Sequence, residues 1–262
     1  MKPLAELPAD VARSLRGVLF DLDDTLLTHG VLTRAAYGAL WDLHEAGLKL
    51  VAVTGRPCGW GHVVVRQWPI EGAVTENGAV HVVRDGAGVA VRDTCDETER
   101  RARRTRLAQV VEAARTAVPE ARLTDDQSAR VSDVTWDIGE REHLPEQRVL
   151  AVARVITDAG ARSVKSSVHL HATFDTDDKA TGAARFCARE LGEDAGAFVV
   201  RWAFAGDSAN DAACFAAMRT TFGVANVRAH VRAMSIPPRY VATSPMGDGF
   251  AEIAAAILRA RA

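Results

Sequence analysis

The sequence predicts an α/β protein in which a parallel sheet covered by helices is interrupted by an α+β insertion. Three observations carry this. Short runs that are apolar throughout alternate with helical patterns at both ends of the chain, as expected of strands buried on both faces. In the middle, apolar and polar residues instead alternate with a period of two, as in a half-buried antiparallel strand. Polar residues fall directly after the fully apolar runs, where an open parallel sheet places its ligands.

The elements follow in order. "GVLF" (17–20) is the first strand. In "TRAAYGALWDLHEAG", Ala36, Leu40 and Leu43 share one helical face, Thr33 is the expected N-cap and Gly47 the stop. "KLVAV" (49–53) is the second strand. "AVHVVRDGAGVAVRD" (79–93) reads as a hairpin turning near Gly86 to Gly88. A helix then carries Leu107, Val110, Val111, Ala114 and Val118 at helical spacing. "DVTWDIG" sets Val134, Trp136 and Ile138 on one face and Asp133, Thr135 and Asp137 on the other. A second helix holds Val149, Val152, Ala153 and Ile156. "SVHLHATF" alternates again, with Ser167, His169 and His171 opposite Val168, Leu170 and Ala172. "RWAFA" (201–205), "FGVA" (222–225) and "RYVA" (239–242) complete the parallel sheet. Residues 1–83 and 175–262 are therefore expected to form a core, and 84–174 a separate α+β domain.

Composition narrows the function. A chain of 262 residues, 48% hydrophobic and 25% charged, buries a sizeable core without staples. A formal net charge of -2 gives no general basic field for nucleic acid or an anionic membrane. Cys58, Cys95, Cys187 and Cys214 are scattered with no CxxC pair, which argues against a zinc site or disulfide scaffold. The start of the chain is broken by Pro3, Glu6, Pro8 and Asp10 and lacks the apolar segment of a signal peptide. A cytoplasmic protein with no membrane or nucleic-acid partner is expected.

The chemistry lies at the strand ends. Asp21 and Asp23 follow the first strand, Thr54-Gly55-Arg56 the second, and Asp207, Asn210 and Asp211 follow "RWAFA"; Lys179 opens the helix ahead of it. The topology can gather all of these in one crevice. Two like charges about 4 Å apart repel by roughly 4 kcal/mol at an effective dielectric near 20. A hard dication removes that penalty, and Mg²⁺ takes a few carboxylates with waters and phosphate oxygens. The Thr54 hydroxyl and the Lys179 cation suit a phosphoryl group, and one Asp left as nucleophile completes a phosphoryl-transfer site.

"DLDDT" (21–25), "VTGR" (53–56), Lys179 in "DDKA" and "GDSAND" (206–211) together resemble the haloacid dehalogenase (HAD) superfamily of phosphohydrolases. All four motifs stand in that family's order. The insertion lies between the second and third, like the type-two cap of Cof-like sugar phosphatases, and "TENGA" (75–79) resembles the turn ahead of that cap. The resemblance implies a Rossmann-like core, a Mg²⁺ cofactor and a small phosphorylated substrate. It further implies that Asp21 attacks phosphorus and becomes an aspartyl-phosphate, while Asp23 first protonates the leaving oxygen and then deprotonates water. Thr54 and Lys179 would hold phosphoryl oxygens. Asp207 would bind the metal with Asp21 and the backbone carbonyl of Asp23, and Asp211 would support it. Gly55, Arg56, Asn77, Gly78, Asn210 and His169 are the candidate substrate contacts. Asp24 departs from the motif, where many relatives carry Gly.

Each residue also has a plainer reading. Asn77-Gly78 reads first as a turn, and Asn210 equally as a substrate contact or as shaping its loop. The face of Ser167, His169 and His171 is expected to meet water ahead of the cleft. The basic run "ERRARRTR" (99–106) reads as a wet helix face before a cationic lip, and Trp60 and Trp68 as packing. Among functions, a phosphomutase shares the motifs and is separated by its need for a bisphosphate activator. A phospho-accepting signalling domain would hold its phosphoryl group and needs about half this length. A non-catalytic binding protein would have lost a motif position.

Overall fold

The computed structural model describes residues 1–166 and 168–262, and every side chain among them except that of Ala233. Ser167, expected to share a face with His169 and His171, lies outside the described residues. The chain runs through β1 (Lys2–Pro3), α1 (Ala9–Ser14), β2 (Gly17–Phe20), α2 (Arg34–Glu45), β3 (Lys49–Val53), α3 (Cys58–Gln67), β4 (Gly72–Thr75), β5 (Val80–Asp85) and β6 (Gly88–Asp93). Then come α4 (Glu97–Ala117), β7 (Asp133–Asp137), α5 (Glu146–Asp158), β8 (Arg162–Lys165) and β9 (His169–Thr173). It returns through α6 (Lys179–Leu191), α7 (Ala195–Arg201), β10 (Trp202–Gly206), α8 (Ala212–Ala217), β11 (Thr220–Gly223), β12 (Tyr240–Val241) and α9 (Met246–Arg261).

Among the described residues, nine strands pair in the order β1-β12-β11-β10-β2-β3-β4-β5-β6, and three in the order β7-β9-β8. The large sheet is parallel from β1 to β4. Its strands are apolar throughout because both faces are covered. Val18, Phe20, Leu50 and Ala52 pack with α2, α3 and α9 on one side; Leu19, Val51, Val53 and Phe204 pack with α6, α7 and α8 on the other. The expected α/β class with helices on both faces is what the structure has. Thr33 caps α2 by accepting the N–H of Ala36, and Gly47 leaves the helix at φ 78°, a left-handed exit that glycine adopts without strain. No helix among the described residues is long and apolar enough to cross a membrane.

Three expectations are corrected. The strand placed at 222–225 is β11, Thr220–Gly223; the buried Thr220 and Thr221 open it, and Ala225 already begins a 3₁₀ turn. The separate unit was expected from residue 84, but β5 pairs antiparallel with β4, and β6 with β5, so both extend the large sheet. A period of two identifies a strand without saying which sheet it joins. The small sheet and its two helices begin with α4, after Asp93. Finally, β7 is buried on both faces. Val134 and Trp136 pack under α4 and α5, while Asp133 and Thr135 turn toward the large sheet's loops, as the site below makes plain.

Candidate active site

Four chain segments bring their side chains together beyond the carboxyl ends of β2, β3 and β10. The peptide N–H of Asp21 still bonds to the Ala205 carbonyl of β10, at 2.9 Å, so the last ladder bond of β2 fixes where Asp21 stands. Lys179 is the first residue of α6, whose start is held by a reciprocal capping box between Asp178 and Thr181. Its Nζ lies 2.8 Å from Asp21 Oδ1 and 2.7 Å from Asp211 Oδ1. The other oxygen of Asp211 accepts the N–H groups of Asp207 and Ser208, at 2.9 and 3.1 Å. Asp207 accepts the Thr25 hydroxyl at 3.2 Å and the Asn226 amide at 3.0 Å. Asp24 sits at φ 54°, and its carbonyl accepts a second Asn226 N–H at 3.0 Å. Asp is among the residues that tolerate that left-handed conformation.

Asp21, Asp207 and Asp211 are buried, and one ligand oxygen from each lies within 4.8 Å of the others. Burial pushes Asp21 up to about 7, against the pull of Lys179 and with the help of Asp211 and Asp23. Burial, followed by Asp211 and Asp21, drives Asp207 well above the carboxylate range. Lys179, despite its own burial, is held charged by Asp21 and Asp211. Three carboxylates around one ammonium leave negative charge out of water, which buried groups relieve by protonation or by an added cation. An all-oxygen set of this kind fits a hard dication such as Mg²⁺. The carboxylate of Asp23 is not in this group.

Asp23 instead faces Arg56. The guanidinium gives Nε and Nη2 to Asp23 Oδ1, at 3.0 and 2.6 Å, and Nη2 also to Glu140 Oε1 at 2.9 Å. Arg56 stacks on Trp60, its Cζ 4.3 Å from the ring centroid, so Trp60 supports the site as well as packing. Glu140 Oε2 is 2.8 Å from His169 Nε2. The hydrogen bond from His169, then the charge of Arg56, pulls Glu140 down to about 2. Thr54 is buried, and its hydroxyl accepts the N–H of Arg56 at 3.0 Å. A Cβ at Gly55 would lie 3.1 Å from His171 Nε2 and 3.2 Å from the Asn77 amide. A Cβ at Gly78, itself at φ 114°, would run into the Asp178 carbonyl. Gly78 is thus the close contact that lets α6 start where it does.

The structure corrects the expectation of a wet face on β9. His169 and His171 are 2% and 1% exposed, so that face is buried rather than wet. His171 Nδ1 is 2.8 Å from Asp133 Oδ2. Asp133 is held down to about 2 because Arg130 and His171 outweigh its burial. Arg130 in turn donates to the Gly55 carbonyl at 3.0 Å. The basic run is corrected in part. Arg100 is buried and bonds both Asp93 and Asp175, and Arg103 also reaches Asp175, so two of its arginines tie together the two strands of chain that enter and leave the small unit. Asn210 is half-buried and accepts the Ser208 hydroxyl at 2.6 Å, the loop-shaping arrangement.

Sequence reasoning missed Thr25, Asn226, Glu140 and Glu76. Asn226 follows β11 and could have been found as another strand-end polar residue. Glu76 is 2% exposed and accepts the N–H groups of Cys58, Val131, Ser132 and Asp133 together with the Ser132 hydroxyl. It holds the segment before β7 onto the loop before α3. Gln replaces one of the two oxygens with an NH2 group, which faces N–H donors on whichever side it lies. Glu76→Gln is expected to lower stability by about 1–3 kcal/mol for the groups left unpaired; the urea midpoint measures it, and an unchanged midpoint contradicts this account.

Residues 18–94 match the family model of haloacid dehalogenase-like hydrolases. No curated protein matches the chain. Among solved structures, a Thermoplasma acidophilum protein superposes with a TM-score of 0.72 at 16% identity, over 93% of this chain and 98% of that one. A phosphatase of the haloalkanoate (HAD) superfamily from Bacteroides thetaiotaomicron gives 0.62 at 19%, over 92% and 93%. The sucrose-phosphatase of Synechocystis sp., solved with sucrose and phosphate, gives 0.61 at 15%, over 93% and 98%. The fold is shared along nearly the whole chain. The resemblance to haloacid dehalogenase-like hydrolases is borne out, the family model matching the stretch that holds "DLDDT" and "VTGR".

Proposed function

We propose that this chain, a haloacid dehalogenase-like hydrolase by its core, is a Mg²⁺-dependent phosphatase that cleaves a small phosphorylated metabolite, a sugar phosphate foremost, through an aspartyl-phosphate. One observation carries the reading. Asp21 and Asp23 stand one residue apart, yet Asp21 is buried among Lys179, Asp207 and Asp211, while Asp23 lies half-buried on Arg56. Two carboxylates in such different surroundings can divide nucleophilic and proton-transfer work between them.

Asp21 attacks phosphorus as the bond to the leaving oxygen breaks. Asp23 gives its proton to that oxygen, then takes one from the water that cleaves the aspartyl-phosphate. Arg56 positions Asp23, and Lys179, which lies between Asp21 and Asp211, would turn toward phosphoryl oxygens with Thr54. Asp21, Asp207 and Asp211 would hold Mg²⁺, with the backbone carbonyl of Asp23 as the expected further ligand. The ion supplies positive charge for the phosphoryl oxygens and lets the three carboxylates remain ionised together. Gly55, Asn77 and Gly78 shape the wall beside Thr54, and His169 acts through Glu140. A cytoplasmic setting belongs to the same proposal, supported by four free cysteines.

Chelation is expected to abolish phosphate release and added Mg²⁺ to restore it, without any bisphosphate activator. Full turnover after exhaustive chelation contradicts the metal assignment. A requirement for a bisphosphate would point to phosphoryl transfer between hydroxyls instead.

A further inference from the structure

Beside Asp23 lies a cavity of about 120 Å³, walled by Asp23, Asp24, His29, Arg56, Glu140 and Val168. In the phosphatase reading the leaving oxygen takes its proton from Asp23, which lines this cavity, and that reading places the leaving group here. Its size equals roughly four waters' share of liquid volume, at about 30 Å³ each. Pockets for larger organic ligands hold several hundred Å³. Its charge is lopsided. Three carboxylates face one arginine and His29, and the arginine already bonds two of the carboxylates. Glu140 is 29% exposed at the side chain, and its oxygens each have one partner, Arg56 on one and His169 on the other. A carboxylate oxygen accepts two hydrogen bonds, so Glu140 offers the cavity free acceptor positions and no donor. It is held ionised by those two partners.

We propose, building on the phosphatase reading, that Glu140 is the specificity-determining residue of this site, and that it selects phosphate esters whose leaving group is a short, uncharged polyol. Hydroxyls of the leaving group donate to the open side of Glu140. A carboxylate or second phosphate there meets Glu140 and Asp24, while the arginine is already shared between Asp23 and Glu140, so anionic esters are disfavoured by repulsion as well as by the lost hydrogen bonds.

Glycerol 3-phosphate and 3-phosphoglycerate test this on the full chain with Mg²⁺, because they differ at the far carbon by a hydroxymethyl against a carboxylate. The wild-type protein is expected to favour glycerol 3-phosphate by at least about tenfold in kcat/KM, mostly through KM. Glu140→Gln, which removes the charge, brings the two esters to within about threefold of each other, and Glu140→Asp keeps the preference. The ratio between matched esters is the readout, so a general loss of rate in a variant does not enter it. Equal use of the two esters by the wild type, or preference for 3-phosphoglycerate, overturns the inference, as does an unchanged ratio in Glu140→Gln. p-Nitrophenyl phosphate separates the two levels of failure. If the wild type hydrolyses it but shows no preference within the pair, the inference falls and the phosphatase reading stands. If it hydrolyses no ester at all, the phosphatase reading falls and takes the inference with it.

Discussion

Asp23→Asn is expected to release a burst of p-nitrophenol near one equivalent per site and then turn over slowly, whereas Asp21→Asn releases none. Only Leu22 separates the two residues in "DLDDT", so position along the chain does not explain different outcomes; their surroundings do. Asp21→Asn removes the attacking oxygen next to Lys179, and neither cleavage nor a phosphoenzyme follows. Asp23→Asn keeps an acceptor for the two short Arg56 bonds to Oδ1, so the local geometry survives while the proton shuttle is gone. General acid–base catalysis contributes roughly 10² to 10⁴ in rate. p-Nitrophenolate leaves without much protonation, so the first step is largely spared. Water still needs a base in the second step, which slows by that factor. Mass spectrometry of the quenched burst should place one phosphoryl group on the peptide containing Asp21. A burst from Asp21→Asn and none from Asp23→Asn reverses the two roles. A wild type that turns over with no phosphorylated form ever trapped excludes the covalent route.

Lys179→Met is expected to cost about 3–5 kcal/mol of stability in the presence of chelator, the usual penalty for stripping the partner from buried charge. Lys179 is 1% exposed, and its ammonium is the cation bonded to both Asp21 and Asp211. Met fills similar volume, so the loss is electrostatic rather than a cavity. The deficit depends on pH. Asp21 and Asp207 are already raised by burial, and losing Lys179, which pulls both down, raises them further. A carboxyl with a folded pKa above its unfolded one favours the folded state only while it is protonated, so that contribution disappears as pH rises through the folded value. The deficit of Lys179→Met should therefore be smaller at pH 6 than at pH 8. Mg²⁺ binds the folded carboxylates and should restore part of the loss. Urea midpoints with chelator and with Mg²⁺ measure both effects. A variant as stable as the wild type in chelator at pH 8 means that the three carboxylates do not depend on this cation.

Much of this site could be read from the chain because its logic is local. A buried parallel strand must be apolar on both faces, so "GVLF", "KLVAV" and the apolar part of "RWAFA" announce themselves, and the polar residues that follow mark where the sheet's ladder ends. The pairs that the sequence hid are long-range. Arg56 and Glu140 are 84 positions apart, and Thr25 and Asp207 are 182 apart; each belongs to a common residue type in a loop with no periodicity to mark it.

The sequence by itself determined the α/β class, the strand ends that carry Asp21, Thr54 and Asp207, and the helix start that carries Lys179, since these follow from hydrophobic period and capping within a few residues. Tertiary structure alone decided which sheet β6 joins, because pairing to β5 rather than alternation sets it. It alone turned His169, His171 and Asp133 inward, since a polar face is buried only when partners are supplied to it, here Glu140 for His169, Arg130 for Asp133 and Asp133 for His171. And it alone separated Asp21 from Asp23, by placing Lys179 against one and Arg56 against the other, a distinction no spacing within "DLDDT" contains.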